Sequence, residues 1–327
     1  MRALTISRPG GPEVLELATV ADPSFGPDEV LVRVRAAALN RADLLQRRGL
    51  YPPPPGAPQD IPGLEFAGEV VACGALAATL RPGDRVMGIV GGGGQAELLR
   101  IHERLCLRVP PGMSFENAAA VPEAFLTAYD ALFLRGGLAP GEAVLLNAAG
   151  SGVGTAAAAI AAVAGARVIA LSRSADKRRR LEALGVHRAL YPESPHLAEA
   201  IRMATGGDGV SLAIDFVGAT AWGLNAEVLA PRGRLVLVGT LGGSKVEVDL
   251  STVMRKRLTI VGTVLRSRPV EEKIELVQRF SRTMLPLLAS GRLAPVIDRV
   301  VPLEDAAVAH AAMERNENFG KIVFKIS

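Results

Sequence analysis

The sequence has 327 residues, of which 49% are hydrophobic and 21% are charged. This composition is that of a globular protein with a buried core and excludes a disordered chain, which would hold fewer apolar residues. The formal charge of +4 is a modest excess over this length, and aromatic residues make up only 4%. Because single-stranded nucleic acids are bound by basic patches interleaved with aromatic side chains, the composition argues against such a partner.

The cysteines and the N-terminus indicate a reducing compartment. Cys73 and Cys106 are not spaced as a C-x-x-C pair, so neither a disulfide framework nor a structural zinc site is predicted. The first residues lack the apolar segment of a signal peptide, and the most apolar stretch, residues 155–166, is too short to span a bilayer. We therefore expect a soluble, cytoplasmic protein without a membrane partner.

The first 120 residues consist of short β-type runs separated by turns rich in proline and glycine. This pattern predicts a compact, barrel-like antiparallel domain. A helix around Leu44 leads to a rigid loop of four prolines after Tyr51, which forms either the wall of a cleft or a stiff surface connection. The predicted strands are Arg2–Ile6, Val30–Ala38, Ala67–Cys73, Arg85–Ile89 and Gln95–Ile101.

From about Pro122 onward, helices and strands alternate, which is typical of a parallel, doubly wound sheet. In such a sheet the carboxyl ends of the strands meet at one edge, where ligands bind. The predicted helices are Ala124–Leu134, Gly152–Ala164 and Ala175–Leu184, and the predicted strands are Val144–Leu146, Arg167–Leu171, Leu212–Phe216, Arg234–Val238 and Leu258–Val264.

A glycine-rich turn between the first strand and the next helix indicates a dinucleotide site. Ala149, Ser151 and Gly154 occupy the three positions of the G-x-G-x-x-G pattern, with an additional Gly152. Small residues let the backbone approach a pyrophosphate, and the helix N-terminus offers N–H groups and a positive dipole end. Such a turn alone is weak support, because similar turns often bind nothing.

The end of the second strand favours NADPH over NADH. An NAD site has an acidic residue about 20 residues beyond the glycine turn, for the ribose 2′-hydroxyl. Here Arg173 and Ser174 end the strand, Lys177 follows in the next helix, and the nearest acid, Asp176, lies inside that helix. Arg173, Ser174 and Lys177 supply the charge-assisted donors that a 2′-phosphate requires. The three arginines after Lys177 are expected to form a solvated helix face.

Several stretches carry a family resemblance that covers essentially the whole chain. They are Leu39-Asn-Arg-Ala-Asp43, Gly49-Leu-Tyr-Pro52, Pro62-Gly-Leu-Glu-Phe-Ala-Gly68, Leu126-Thr-Ala-Tyr129 and Ala149-Gly-Ser-Gly-Val-Gly154. These stretches resemble the medium-chain dehydrogenase/reductase superfamily, specifically its zinc-free quinone oxidoreductase branch, the ζ-crystallin-like proteins. Residues 262–268 and 320–323 are similar to the p53-inducible quinone oxidoreductase homologues within that branch.

The resemblance implies an α/β fold with two domains. A GroES-like, β-barrel-type catalytic domain would span residues 1–122 and be completed by residues 268–327. A Rossmann domain with a doubly wound parallel sheet, residues 123–267, would bind NADPH, with the cofactor in the cleft between the domains. Members of the branch pair the strand that corresponds to Leu258–Val264 with another subunit, which implies a homodimer or a homotetramer.

The resemblance also implies roles for individual residues. Asn40 and Tyr51 would line the substrate side of the cleft, and Thr127 would lie near the nicotinamide. The orientation of Tyr191 is open, because Pro192 follows it. The residues implied to bind the cofactor are Ser151, Gly152, Val153 and Gly154 at the pyrophosphate, Ser174, Lys177 and Tyr191 with Arg173 at the 2′-phosphate, and Phe216, Gly239, Thr240, Leu241, Leu265, Arg266 and Lys321 along the nicotinamide end and the pyrophosphate.

Departures from the zinc-dependent branch imply catalysis without a metal. The stretch after Leu39 lacks that branch's cysteine ligand, Leu64 replaces its histidine ligand, and the four-cysteine structural lobe is missing. Without a Lewis acid, the expected acceptors are quinones or α,β-unsaturated carbonyls, whose conjugation stabilises the charge that hydride addition creates. Asn40 and Tyr51 are the candidate donors to the developing oxyanion.

The predicted function is therefore an NADPH-dependent, metal-independent quinone oxidoreductase. One alternative is an NADPH-dependent reductase of enones or enoyl thioesters, as in other branches of the superfamily. A second is a non-catalytic protein that binds NADPH and nucleic acid. A serine hydrolase centred on Ser151 is excluded, because Ala149 and Val153 replace the glycines that flank the serine in a nucleophile elbow.

Overall fold

The computed structural model describes residues 1–326, which form two compact units. The first unit comprises Met1–Leu126 and Leu265–Ser327, and the second comprises Thr127–Val264. Residues 123–126 and 265–267 lie in the first unit. No helix in residues 1–326 is both long and apolar enough to cross a membrane.

The strands are numbered in chain order. They are β1 (Arg2–Ile6), β2 (Leu15–Thr19), β3 (Glu29–Ala38), β4 (Glu65–Cys73), β5 (Arg85–Ile89), β6 (Leu98–His102), β7 (Cys106–Arg108), β8 (Ala143–Leu146), β9 (Arg167–Leu171), β10 (Arg188–Leu190), β11 (Val210–Asp215), β12 (Leu229–Leu237), β13 (Thr259–Gly262), β14 (Ile297–Pro302) and β15 (Lys321–Lys325).

The α-helices are numbered in the same way. They are α1 (Arg41–Arg47), α2 (Phe115–Ala119), α3 (Pro122–Tyr129), α4 (Gly152–Val163), α5 (Ala175–Ala183), α6 (Leu197–Ala204), α7 (Trp222–Val228), α8 (Leu250–Lys256), α9 (Val270–Thr283), α10 (Leu285–Ala289) and α11 (Ala306–Glu314). Short 3₁₀ turns occur at Pro12–Val14, Glu103–Leu105, Ala219–Ala221 and Leu303–Asp305.

The first unit is built on a seven-stranded sheet with the order β14-β15-β3-β4-β5-β7, in which β6 also pairs with β3. Along β3, Val30, Val32 and Val34 alternate with less buried residues, because successive side chains of a strand point to opposite faces. The strands predicted in the first 120 residues pair antiparallel. No strands were predicted in the C-terminal segment, where β14 pairs with β15 in parallel at one edge of the sheet.

The second unit contains a six-stranded sheet with the order β10-β9-β8-β11-β12-β13, in which every pair is parallel. Counted from β8, this is the 3-2-1-4-5-6 order of a dinucleotide-binding sheet. All four residues of β8 are buried, as expected of a parallel strand covered on both faces. The α/β fold with a doubly wound parallel sheet is therefore confirmed.

The helix predicted over Ala124–Leu134 differs from the observed one. α3 begins two residues earlier, because the fixed φ of Pro122 suits the first turn of a helix. After Tyr129 the chain continues as a π-helical turn, Asp130–Arg135. Within this turn, Asp130 accepts a hydrogen bond from the hydroxyl of Thr263 at 2.6 Å.

Candidate functional site

The glycine turn lies between β8 and α4, at the carboxyl edge of the parallel sheet. The backbone passes through Ala148 with a left-handed φ of 46°, and Ser151 then caps α4 by accepting a hydrogen bond from the N–H of Gly154 at 3.1 Å. A Cβ at Gly154 would lie 2.6 Å from the carbonyl oxygen of Ala149. Only glycine at this position lets the helix pack so closely against the turn.

The start of α4 fits a pyrophosphate. The N–H groups of Gly152 and Val153 belong to the first turn, where an α-helix provides no acceptor, and both residues are half-buried. These groups and the positive end of the helix dipole attract a phosphate. The Ser151 hydroxyl already serves the cap, so its main role here is to fix the turn.

The end of β9 gathers the residues expected at a 2′-phosphate. Ser174 caps α5 by accepting a hydrogen bond from the N–H of Lys177 at 3.3 Å, and Arg173 is exposed beside it. The Arg178 guanidinium donates to the carbonyls of the two residues before Ser174, at 2.8 and 3.0 Å. It also lies 5.5 Å from the centre of the Tyr191 ring.

Arg178 is thus a local anchor, and the expectation that it belongs to a solvated face is wrong. The two arginines after it pair with Asp176 at the surface, at 3.0 and 4.0 Å. The orientation of Tyr191, left open by Pro192, is set by two contacts. Its ring faces Arg178, and its hydroxyl donates to Glu193 at 2.6 Å.

The sequence analysis did not predict a buried hydrogen-bond network at the end of β11. The Asp215 carboxylate accepts the N–H groups of Val217 at 2.7 Å and Gly218 at 3.2 Å. It also accepts from Asn225, whose amide oxygen accepts from Asn147 at the end of β8, both at 3.0 Å. Burial raises the pKa of Asp215, and these donors oppose the shift. The signal in the sequence was an aspartate at the end of an apolar strand.

The hydrogen bonds of Asp215 fix the loop that carries Phe216. The N–H of Leu241 donates to the Phe216 carbonyl at 3.4 Å, and a Cβ at Gly239 would lie 3.0 Å from the same oxygen. The structure therefore brings Phe216 together with the segment Gly239, Thr240 and Leu241. In the same unit, the buried hydroxyl of Thr127 has no hydrogen-bond partner among residues 1–326.

In the first unit, the Glu65 carboxylate is the centre of a buried polar cluster. Glu65 is completely buried, and Lys321 and Asn40 are 4% and 8% exposed. One carboxylate oxygen lies 2.5 Å from the Lys321 Nζ and accepts from the Asn40 amide at 2.9 Å. The other accepts the N–H of Glu123 at 2.8 Å. The cluster joins the starts of β4, β15, α1 and α3.

The donors of this cluster are largely used within the protein. Lys321 Nζ also donates to the carbonyl of Leu39 at 2.9 Å and to the Asn40 side-chain oxygen at 2.7 Å, so its three hydrogens all face protein oxygens. Both N–H groups of the Asn40 amide are likewise engaged, with Glu65 and Ala38. The predicted contacts of Asn40 with substrate and of Lys321 with cofactor stay predictions, and each requires exchange of one such bond.

Asp43 is a second buried carboxylate that sequence reasoning did not single out. It accepts the N–H groups of Asn40 at 2.8 Å and Gly63 at 3.0 Å, which ties α1 to the following turn. Gly63 has a φ of 105°, and a Cβ there would lie 2.5 Å from the Gln95 nitrogen. Burial raises the pKa of Asp43 to about 6, although both N–H donors oppose the shift.

Glu123 stands at the edge of the same cluster. Burial, with the Glu65 and Asp43 carboxylates nearby, raises the pKa of Glu123 to about 7, although Lys321 and Lys273 oppose the shift. The group therefore titrates near neutral pH.

Tyr51 lies against Arg266. The guanidinium of Arg266 is 5.1 Å from the centre of the Tyr51 ring and donates to the Tyr51 carbonyl at 3.0 Å. Tyr51 is half-buried, and burial raises the pKa of its hydroxyl, an effect that the charge of Arg266 opposes. Leu265 and Arg266 are both buried, and both belong to the first unit, as does Lys321.

Replacement of Glu123 by glutamine should stabilise the protein in a pH-dependent way. Folding raises the pKa of this carboxyl, so its ionisation destabilises the folded protein. This destabilisation is absent at pH values below the unfolded pKa, and it grows with pH until the pH exceeds the folded pKa. Partial exposure reduces the effect, so we expect Glu123→Gln to raise the free energy of unfolding by about 1–2 kcal/mol at pH 8 and hardly at pH 4.5.

Denaturant unfolding at both pH values measures this difference, with Glu272→Gln, an exposed glutamate on α9, as the control. An equal effect of Glu123→Gln at both pH values would contradict a raised pKa.

In the part of the chain that the structure describes, no three His, Cys, Asp or Glu side chains lie close enough together to hold a metal ion.

Comparisons with known proteins identify both units. Residues 26–111 match the family model of the alcohol dehydrogenase GroES-like domain, and residues 152–282 match that of the zinc-binding dehydrogenases. A quinone oxidoreductase of Lama guanicoe is 31% identical over 326 residues, which cover 99% of this chain and 97% of the relative.

Solved structures agree with this assignment. An NAD-dependent alcohol dehydrogenase superposes with a TM-score of 0.88 at 33% identity, over the whole of both chains. A mycobacterial protein in complex with NADPH also gives a TM-score of 0.88, at 27% identity and over the whole of both chains. The chain therefore belongs to the medium-chain dehydrogenase/reductase superfamily, in its quinone oxidoreductase branch.

Proposed function

We propose that this oxidoreductase uses NADPH, works without a metal and transfers a hydride to a quinone. The observation that carries the proposal is the cationic end of β9. Arg173 and Lys177 follow the strand within six residues, and Ser174 caps the next helix between them. A 2′-phosphate would find two positive charges and a hydroxyl there, whereas a ribose 2′-hydroxyl would lack its usual carboxylate.

The remaining cofactor contacts follow from the same edge of the sheet. We infer that the N–H groups of Gly152 and Val153 hold the pyrophosphate, in the turn that Ser151 and Gly154 shape. Further along the edge, the hydrogen-bond network of Asp215 would hold the Phe216 loop and the neighbouring segment from Gly239 to Leu241 against the nicotinamide end of the cofactor. The Thr127 hydroxyl, buried without a partner among the described residues, would hydrogen-bond to the bound cofactor.

The chemistry needs few protein groups. When bound, NADPH supplies a hydride from the nicotinamide ring. Tyr51 would donate a hydrogen bond to the quinone oxygen on which negative charge develops, and one such donor typically stabilises the transition state by about 3 kcal/mol. The proton that completes the hydroquinone can come from water. The buried ion pair of Lys321 and Glu65 would hold the Asn40 amide in place beside the substrate.

Metal independence rests on the donor set. Leu64 stands where the zinc-dependent branch has a histidine ligand, and it is buried, with only 1% of its surface exposed. A leucine at this position removes a ligand. A conjugated acceptor suits such a site, because it needs no Lewis acid to accept a hydride.

We also propose that the protein is a homodimer or a homotetramer assembled through β13. This strand ends the parallel sheet and pairs only with β12 in the described chain. Its outer edge has no strand partner among residues 1–326, and Ile260 in the strand and Val264 just after it are 40% and 48% exposed. Light scattering of the protein and of an Ile260→Lys variant tests this assembly, since a monomer in both would contradict it.

Removal of the cations after β9 should abolish the cofactor preference. In Arg173→Ala with Lys177→Ala, two charge-assisted contacts with the 2′-phosphate are lost, so we expect NADPH affinity to fall about 10- to 100-fold while NADH affinity is unchanged. Fluorescence titration measures both dissociation constants. Arg179→Ala, which lies on the same helix but pairs with Asp176, is the control. An unchanged preference in the double variant would refute the assignment.

A spectrophotometric screen of NADPH oxidation against quinones and enones tests the reaction itself, with NADH alongside. We expect turnover with quinones, and we expect Tyr51→Phe to lower kcat about 10- to 100-fold without changing NADPH affinity, because only the hydroxyl is removed. Turnover with enones alone would favour the enone or enoyl-thioester reductase instead. NADPH binding without any oxidation would contradict an enzymatic function.

A further inference from the structure

We propose that Arg266 is a positioning residue that fastens the Tyr51 loop, residues 51–58, to the glycine loop, residues 91–94, and so sets the orientation of Tyr51. The inference rests on the proposed role of Tyr51 in the reaction. It differs from the sequence-based expectation that Arg266 contacts the cofactor.

The guanidinium of Arg266 reaches three segments with its three nitrogens. Nε donates to the carbonyl of Gly91 at 2.8 Å, and one terminal nitrogen donates to the carbonyl of Tyr51 at 3.0 Å. The other donates to the side-chain oxygen of Gln46, on α1, at 2.5 Å. This planar arrangement of donors is specific to arginine, because a lysine ammonium is a single point on a flexible stem.

The two loops have few side-chain or proline-free backbone donors with which to bind each other. Residues 52–55 are prolines, which have no N–H group to donate, and the glycine loop has no side chains. The loops also lie in contact, since a Cβ at Gly91 would be 2.8 Å from Pro54 and 3.1 Å from Ala57. Arg266 adds donors to the carbonyls of both loops and bridges them where they meet, beside the N–H groups of Gly93 and Gly94, which bind Ile61 and Gly63.

The same group holds the Tyr51 ring. Its guanidinium lies 5.1 Å from the ring centre, within the range of a cation–π contact. Backbone and ring of Tyr51 are therefore fixed by one side chain. Arg266 is itself held, because it is 5% exposed and its carbonyl accepts a hydrogen bond from Lys273 at 2.7 Å.

A role as a phosphate ligand predicts different behaviour. A lysine retains much of the attraction to a phosphate, since that attraction depends mainly on charge. It cannot make three diverging hydrogen bonds to Gln46, Tyr51 and Gly91. The substitution Arg266→Lys therefore separates the two roles, provided that binding and turnover are measured independently.

The experiment measures kcat, the NADPH dissociation constant and hydrogen exchange in Arg266→Lys and Arg266→Ala. We expect Arg266→Lys to lower kcat about 10-fold or more, to leave NADPH affinity within about 2-fold, and to speed exchange in residues 91–95. Added guanidinium ion should restore part of the turnover of Arg266→Ala. In a Tyr51→Phe background, Arg266→Lys should have little further effect on kcat, because the two residues act as one unit.

Arg282→Lys, an exposed arginine on α9, is the control for the chemical change. If Arg266→Lys does not fold, Gln46→Leu is a second test, because it removes one of the three acceptors of Arg266 and should also lower kcat. A 10-fold weaker affinity for NADPH with unchanged kcat, or additive effects with Tyr51→Phe, would overturn the proposal. Hydrogen exchange does not depend on turnover. Even if the protein is inactive with quinones, unchanged exchange in residues 91–95 of Arg266→Lys would show that Arg266 does not hold the loops together.

Discussion

The geometry of the first unit depends on one buried carboxylate. Glu65 has no exposed surface, and an isolated charge in such a place would cost several kcal/mol. Its two oxygens are satisfied by the Lys321 ammonium, the Asn40 amide and the N–H of Glu123. These partners belong to β15, the cap of α1 and the start of α3, so the ion pair connects the C-terminal strand to the first third of the chain.

The same neighbourhood holds two further carboxyls whose pKa values are raised mainly by burial. Asp43 and Glu123 lie close to Glu65, and burial raises their pKa values to about 6 and about 7. Raised values of this kind often mark functional sites, although structural clusters produce them as well. In this protein the cluster sets the orientation of Asn40, while Arg266 sets that of Tyr51. Two buried cations, Lys321 and Arg266, thus hold the two residues that the sequence analysis placed beside the substrate.

The sequence was a good guide where structure is local and a poor one where it is not. The glycine turn, the cap at Ser174 and most strands of the second unit follow from patterns within about ten residues. The bonds of Lys321 with Asn40 and of Arg266 with Gln46 join residues 281 and 220 positions apart, and no periodicity reports such pairs. The prediction that Arg178 is solvated failed for a related reason. The sequence of a basic helix face is the same whether its arginines contact water or backbone carbonyls.

The central claim is that the ion pair of Glu65 and Lys321 acts as a unit that organises the site. A double-mutant cycle with Glu65→Gln and Lys321→Met, followed by denaturant unfolding, tests it most directly. Each single variant leaves a buried group without its partner and should lower the free energy of unfolding by about 3–5 kcal/mol. The double variant should lose much less than the sum of these losses. Additive losses would contradict the claim.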